Sequence, residues 1–209
     1  MTDGVANRPC IIAAMGATGS GKSEYVKREL LSPAPRRLLV WDLSPIDEYR
    51  SYGAAVTLSQ LVAAGGAAGK GGDVRLVFKP SDDDKKRAAE FNIFCTLAMR
   101  LGNLTMLVEE LKFVTRPGYA PMPWAHCVLT GRKIGLRVIG TSQRPAHIDK
   151  DFLGNATIIR TGCLGYEDDE IAVAKALRVP VEDVHRLQPL DWIEFERQTR
   201  LVTRGRLTF

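Results

Sequence analysis

The chain has 209 residues, a formal net charge of +5, 45% hydrophobic and 25% charged residues, the balance of a globular protein rather than a disordered or fibrous one. A pI of about 9.1 permits an acidic partner such as nucleic acid without requiring one. Cys10, Cys95, Cys127 and Cys163 form no CxxC pair, no apolar run approaches the roughly 20 residues of a membrane span, and MTDGVANRPC lacks a signal peptide's pattern; zinc ribbon, disulfide scaffold and membrane protein are set aside, and a soluble cytoplasmic protein in a reducing compartment is expected.

Short apolar runs alternate with helical patterns, which predicts a mostly parallel sheet flanked by helices. The first run, CIIAAM (10–15), leads into Gly16-Ala17-Thr18-Gly19-Ser20-Gly21-Lys22-Ser23 and then SEYVKRELL. The eight residues satisfy GxxxxGK[ST] in its required context, a strand before and a helix after. Glycines let the loop turn its N–H groups toward phosphate oxygens, and the helix N-terminus adds partial positive charge. These eight residues therefore predict an ATP site, with Lys22 on the β- and γ-phosphates and Ser23 on Mg²⁺.

The next runs are RLLVWD (37–42), VRLVF (74–78), LTMLVE (104–109), LRVIGTS (136–142) and ATIIRT (156–161). Between the second and third, AAGGAAGKGG (63–72) reads as a mobile surface loop. DDKKRAAEFNIFCTLAMRL (83–101) reads as a helix, with Phe91, Phe94, Ala98 and Leu101 on one face. TRPGYAPMPW (115–124) carries three prolines, which exclude a continuous helix. EDDEIAVAKAL predicts a helix, and WIEFERQTRLVTRGRL a terminal hairpin turning at Gln198-Thr199. No repeat or composition break marks a second domain, so a single domain over 1–209 is expected.

In an open parallel sheet, ligands bind beyond the carboxyl ends of the strands. Here those ends carry Asp42, Glu109-Glu110 and Gln143. An apolar strand followed by two carboxylates resembles a Walker B segment. Glu109 then belongs to the metal shell and Glu110 orients the attacking water; the bland reading is a solvated helix start. Position 109 more often carries Asp. Gln143 is a candidate contact to the γ-phosphate or the lytic water, or simply a bond to a loop backbone.

At GRKIGLRVIGTSQRP (131–145) the sequence resembles the FtsK/HerA superfamily of hexameric P-loop DNA translocases, through Arg132, Gly135, an apolar strand, Ser142, Gln143, Arg144 and Pro145. FLGNATIIRTG, with Asn155 and Arg160, and VWDLSPIDEY are similar to further segments of that superfamily. The resemblance covers roughly residues 9–165, leaving C-terminal helices and a hairpin over 166–209. It implies a RecA-like (ASCE) P-loop NTPase fold, ATP and Mg²⁺ as cofactors, and a ring, a hexamer by family habit, acting on double-stranded DNA. It also places a trans-acting arginine finger on Arg132, worth roughly 10³–10⁵ in rate where present; the competing reading is a solvated cation near a helix C-terminus. Arg144 is a second finger candidate.

A bare motor of this size is similar to viral and phage genome-packaging ATPases, which implies capsid or portal-like partners and a location in the host cytoplasm or virion. LKFVTRPGYAPMPW, with Lys112, Arg116 and Tyr119, reads either as a DNA-contacting loop or as a structural proline-rich loop; Lys70 marks another candidate loop. Trp41, Trp124 and Trp192 read as core or interface residues. The alternatives to a translocase are a P-loop small-molecule or nucleoside kinase, and a nucleotide-gated phage assembly protein with weak hydrolysis.

Overall fold

The computed structural model describes residues 11–208; Cys10, at the head of the first expected strand, lies outside them. Nine strands lie in the order β3-β4-β2-β5-β6-β1-β7-β8-β9. They are β1 (Ile11–Met15), β2 (Arg37–Trp41), β3 (Ala54–Val56), β4 (Val74–Phe78), β5 (Leu104–Val108), β6 (Leu136–Ser142), β7 (Ile158–Thr161), β8 (Asp191–Glu196) and β9 (Leu201–Arg206). The helices are α1 (Lys22–Tyr25), α2 (Leu58–Ala68), α3 (Asp84–Leu101), α4 (Met122–Thr130), α5 (Lys150–Asn155), α6 (Glu167–Leu177) and α7 (Val181–His185). The pairs β1–β7, β2–β4, β2–β5 and β3–β4 are parallel, while β7–β8 and β8–β9 are antiparallel.

Contacts divide the described chain into two compact units. One comprises 33–109 and 120–139, and holds β2, β3, β4, β5 and the first half of β6. Its strands β2 and β5 are buried at every position, as parallel strands covered on both faces must be. Trp41 centres the core, its ring 5.1 Å from Phe91, 5.4 Å from Phe94 and 5.6 Å from Phe78. The expected face of α3 is buried at Phe91, Phe94, Ala98 and Leu101, and Asp83 caps the helix by accepting the Lys86 N–H at 2.8 Å, satisfying one of its orphan donors.

The glycine-rich stretch corrects the sequence expectation. Residues 63–68 are the end of α2, not a loop. Thr57 and Gln60 form a reciprocal capping box at its start. A side chain at Gly65 would come within 2.8 Å of Leu97, so the glycine permits close helix packing. Beyond the helix, the buried Arg37 guanidinium donates to the carbonyls of Gly69 at 2.9 Å and Asn103 at 3.1 Å, and also to Gly72. These fixed bonds offset the poor helix propensity of glycine, about 1 kcal/mol per residue against alanine.

The second unit comprises 11–32, 110–119 and 140 onward. It holds β1, β7, the second half of β6 and the terminal hairpin β8–β9, which turns around Gln198-Thr199 as expected. After one α turn, α1 continues as a π turn over Val26–Leu30, with the Leu31 N–H bonded to the Val26 carbonyl at 3.0 Å; such turns concentrate at functional sites. Among the described residues no helix is long and apolar enough to cross a membrane.

Candidate nucleotide site

The phosphate loop is built by β1, whose five residues are all buried, and by three glycines with positive φ: Gly16 at +149°, Gly19 at +79° and Gly21 at +88°. Side-chain-bearing residues rarely adopt these angles. A Cβ on Gly16 would fall 2.3 Å from Ser20 Oγ, and one on Gly21 would fall 2.3 Å from Leu207 Cδ1. The loop is moored on both flanks: the Gly16 N–H donates to the Ser142 carbonyl at 3.2 Å and the Ala17 N–H to the Cys163 carbonyl at 2.8 Å. Thr18 and Gly19 stand exposed at its crest, Ser20 is buried beneath, and Ser23 lies half-buried in the first turn of α1. This backbone cradle, which side chains would fill, fits phosphate groups.

Lys22 leads the helix and reaches Glu110, Nζ to Oε1 at 3.3 Å, with the two side chains only 9% and 12% exposed. Shielding from water strengthens that pairing. Glu110 follows β5 in the left-handed region, φ +51° and ψ +62°, uncommon for a residue other than glycine. Its N–H donates to Thr141 Oγ1 at 3.2 Å, and its Oε2 accepts the Gln143 N–H at 3.2 Å. The second unit therefore brings together Lys22, Glu110 and Gln143. Gln143 enters through its main chain, and Thr141 joins it; in the sequence Thr141 reads only as an interior residue of an apolar strand.

Glu109 sits in the other unit and in a different environment. It is 5% exposed, and its N–H continues the sheet to the Trp41 carbonyl at 3.1 Å. Its carboxyl hydrogen-bonds that of Asp42, whose affinity for a proton is raised by burial, against the opposing bonds from the Ser44 and Tyr49 backbone. The Tyr49 phenol is also driven up, by burial first and then by the Glu109 charge. Tyr49 carries no motif signal, so sequence reasoning missed it. Among the described residues no cluster of three His, Cys, Asp or Glu side chains could hold a metal alone. A magnesium ion here would complete its shell with phosphate oxygens and water, its usual habit.

Arg132 lies exposed on the 3₁₀ turn Gly131–Ile134 that follows α4. Arg144 is engaged by its own chain: Nε donates to the buried Asp169 at 2.6 Å, and the guanidinium lies 3.9 Å from the Tyr166 ring centroid. Arg160 is buried between Tyr25, at 4.0 Å, and Trp192, at 3.8 Å, and bonds Glu29 at 2.8 Å. Trp41 and Trp124 are fully buried. Asn155 bonds the Asp151 carbonyl at 2.8 Å within α5.

The sheet order and the loop at the end of β1 define the class: a RecA-like P-loop NTPase fold, shared with known ATPases. The chain superposes on the genome-packaging NTPase B204 of Sulfolobus turreted icosahedral virus 2, in complex with AMPPCP, with a TM-score of 0.73 at 15% identity, over 96% of this chain and 98% of that one. On VirB4 of Thermoanaerobacter pseudethanolicus the TM-score is 0.67 at 12% identity, over 100% and 92% of the two chains. The bacterial conjugative coupling protein TrwB lacking its N-terminal segment gives 0.69 at 12% identity, over 96% and 86%. In sequence, the chain is 27% identical over 182 residues to Protein P9 of Pseudoalteromonas phage PM2, covering 83% of this chain and 78% of that protein. No protein-family model matches the chain.

Proposed function

We propose that the chain is an ATP-driven motor that moves double-stranded DNA, as the packaging ATPase of a viral genome. The observation that carries this reading is the Lys22–Glu110–Gln143 constellation at the mouth of the phosphate loop. Its support from relatives is the long alignment with phage Protein P9 and the fold shared with a protein described as a genome-packaging NTPase. In this reading the two units work as one ATPase domain, in the host cytoplasm or the virion, beside capsid or portal-like proteins.

The chemistry follows from the site. Loop N–H groups of Gly16 to Ser23 bind the phosphates of ATP. Lys22 is shared between Glu110 and the incoming β- and γ-phosphates, so binding draws Nζ away from the carboxylate. Glu110, freed of part of that pairing, accepts a proton from the attacking water, and Gln143 positions the same water or the γ-phosphate. Bound Mg²⁺ supplies charge neutralisation on the phosphate oxygens, and Ser23 and Glu109 are the residues assigned to its shell. In a ring, hexameric as the FtsK/HerA resemblance implies, Arg132 of one subunit serves the nucleotide of the next.

The test is steady-state ATPase rate against protein concentration, with and without linear duplex DNA, for the wild type and Arg132→Ala. A concentration-dependent, DNA-stimulated rate that collapses in Arg132→Ala is expected. A rate linear in protein and indifferent to DNA and Arg132 sinks the motor and returns the kinase reading; tight ATP binding without turnover returns the assembly protein.

A further inference from the structure

Immediately after Glu110 the chain makes a short, stiff excursion. The 3₁₀ turn Leu111–Phe113 starts on the Glu110 carbonyl, which accepts the Phe113 N–H at 3.0 Å. Leu111 is fully buried, packed where a Cβ on Gly140 would fall 2.7 Å from its Cδ1. Thr115, 1% exposed, locks the base: its hydroxyl donates to the Leu111 carbonyl at 3.0 Å and accepts the Asp149 N–H at 3.2 Å. The chain then folds back as a two-residue hairpin. Arg116 and Tyr119 exchange both main-chain bonds, at 2.9 and 3.0 Å, around Pro117-Gly118. All four tip residues are exposed, with Tyr119 at 61% and nearby Phe113 at 50%.

A buried, bonded base carrying an exposed cation and two exposed aromatic rings is an unusual use of surface. Large rings left in water mark contact sites when they cluster. The charge pattern selects the partner. Residues 111–148 contain six Lys and Arg and no Asp or Glu, while the whole chain carries only +5, which leaves the remainder slightly acidic. Such a stretch suits a polyanion rather than a basic or neutral protein face.

We propose that the Arg116–Tyr119 tip grips the phosphate backbone of duplex DNA and is the element that senses nucleotide state through Glu110. This rests on the motor reading. Arg116 pairs with a phosphate, while Tyr119 and Phe113 press on the sugar–phosphate backbone, so that the grip positions DNA without reading sequence. Movement of the Glu110 carboxylate between Lys22 and the lytic water shifts the 3₁₀ turn mounted on its carbonyl. The stiff base carries that shift to the tip.

The experiment is binding of a labelled linear duplex with ATPγS present, read by anisotropy over a salt series, alongside ATPase rates with and without DNA, for wild type, Arg116→Ala and Tyr119→Ala. The expected result is weaker binding to all sequences in both variants. In Arg116→Ala the slope of log affinity against log salt falls by about 1. DNA-free turnover stays at the wild-type level, and the DNA-stimulated increment is lost. If the wild type is stimulated and both variants match it, the grip lies elsewhere and the motor reading stands. If the wild type neither binds nor responds to DNA, both fall. Variants that bind DNA normally but fail to self-associate make the tip a protein contact and overturn the proposal.

Discussion

Glu109 and Glu110 are neighbours in sequence, yet each meets a different chemical world. Glu110 faces a lysine and the Gln143 N–H, and its own N–H donates to Thr141. Glu109 is sealed against Asp42 and Tyr49, groups that resist giving up a proton. Successive residues at a strand end leave on opposite sides, so two identical side chains acquire opposite tasks. One is a carboxylate paired with a displaceable cation, suited to taking a proton. The other is half of a buried acid pair, suited to holding its position.

The largest expected effect breaks the first environment. Glu110→Gln keeps the shape and removes the base, so turnover falls by roughly 10²–10⁴ while equilibrium binding of an ATP analogue persists. Glu109→Gln leaves the base and perturbs the shell assigned to the metal; a loss of roughly 10–100-fold, partly recovered at high Mg²⁺, is expected in a magnesium titration. Equal losses in the two variants would mean that the difference in surroundings carries no difference in role.

Gly21→Ala, with φ of +88° and Leu207 in the way, is expected to cost about 1–3 kcal/mol, seen as a lower midpoint in thermal unfolding and relieved by Leu207→Ala. The smallest effect concerns Glu194, which combines both environments: it accepts the Tyr25 hydroxyl at 3.1 Å and lies near Arg160. Burial raises its pKa above 4.5 despite that arginine. The folded state then keeps a proton that the unfolded chain has lost, so this contribution is full below 4.5 and fades as pH rises through the folded value. Urea unfolding across that window should show a flatter pH dependence in Glu194→Gln, by on the order of 1 kcal/mol or less.

What the sequence made legible was whatever rests on unbroken runs. Five-residue apolar strands such as RLLVW and LTMLV, and the glycine–lysine loop, each announce themselves locally. β3 did not, because Ala54–Val56 is three small, largely exposed residues held only by pairing to β4. α2 did not, because its stability comes from Gln60, Leu97 and Arg37 rather than from its own glycines. Thr141 and Tyr49 escaped for a related reason: each acts through a neighbour distant in sequence. The same holds for Arg144, whose exposed-looking motif position hides a partner in Asp169.

Leu207 rests on Gly21 and hydrogen-bonds through its N–H to the Leu190 carbonyl at 2.9 Å. Early and late parts of the chain thus meet at the phosphate loop, a contact spanning almost the whole sequence. During synthesis the loop emerges first and waits; its final support arrives only when β9 has left the ribosome. Such long closure is slow and comes late in folding. A chain lacking Leu207 would therefore have its phosphate loop without this backing.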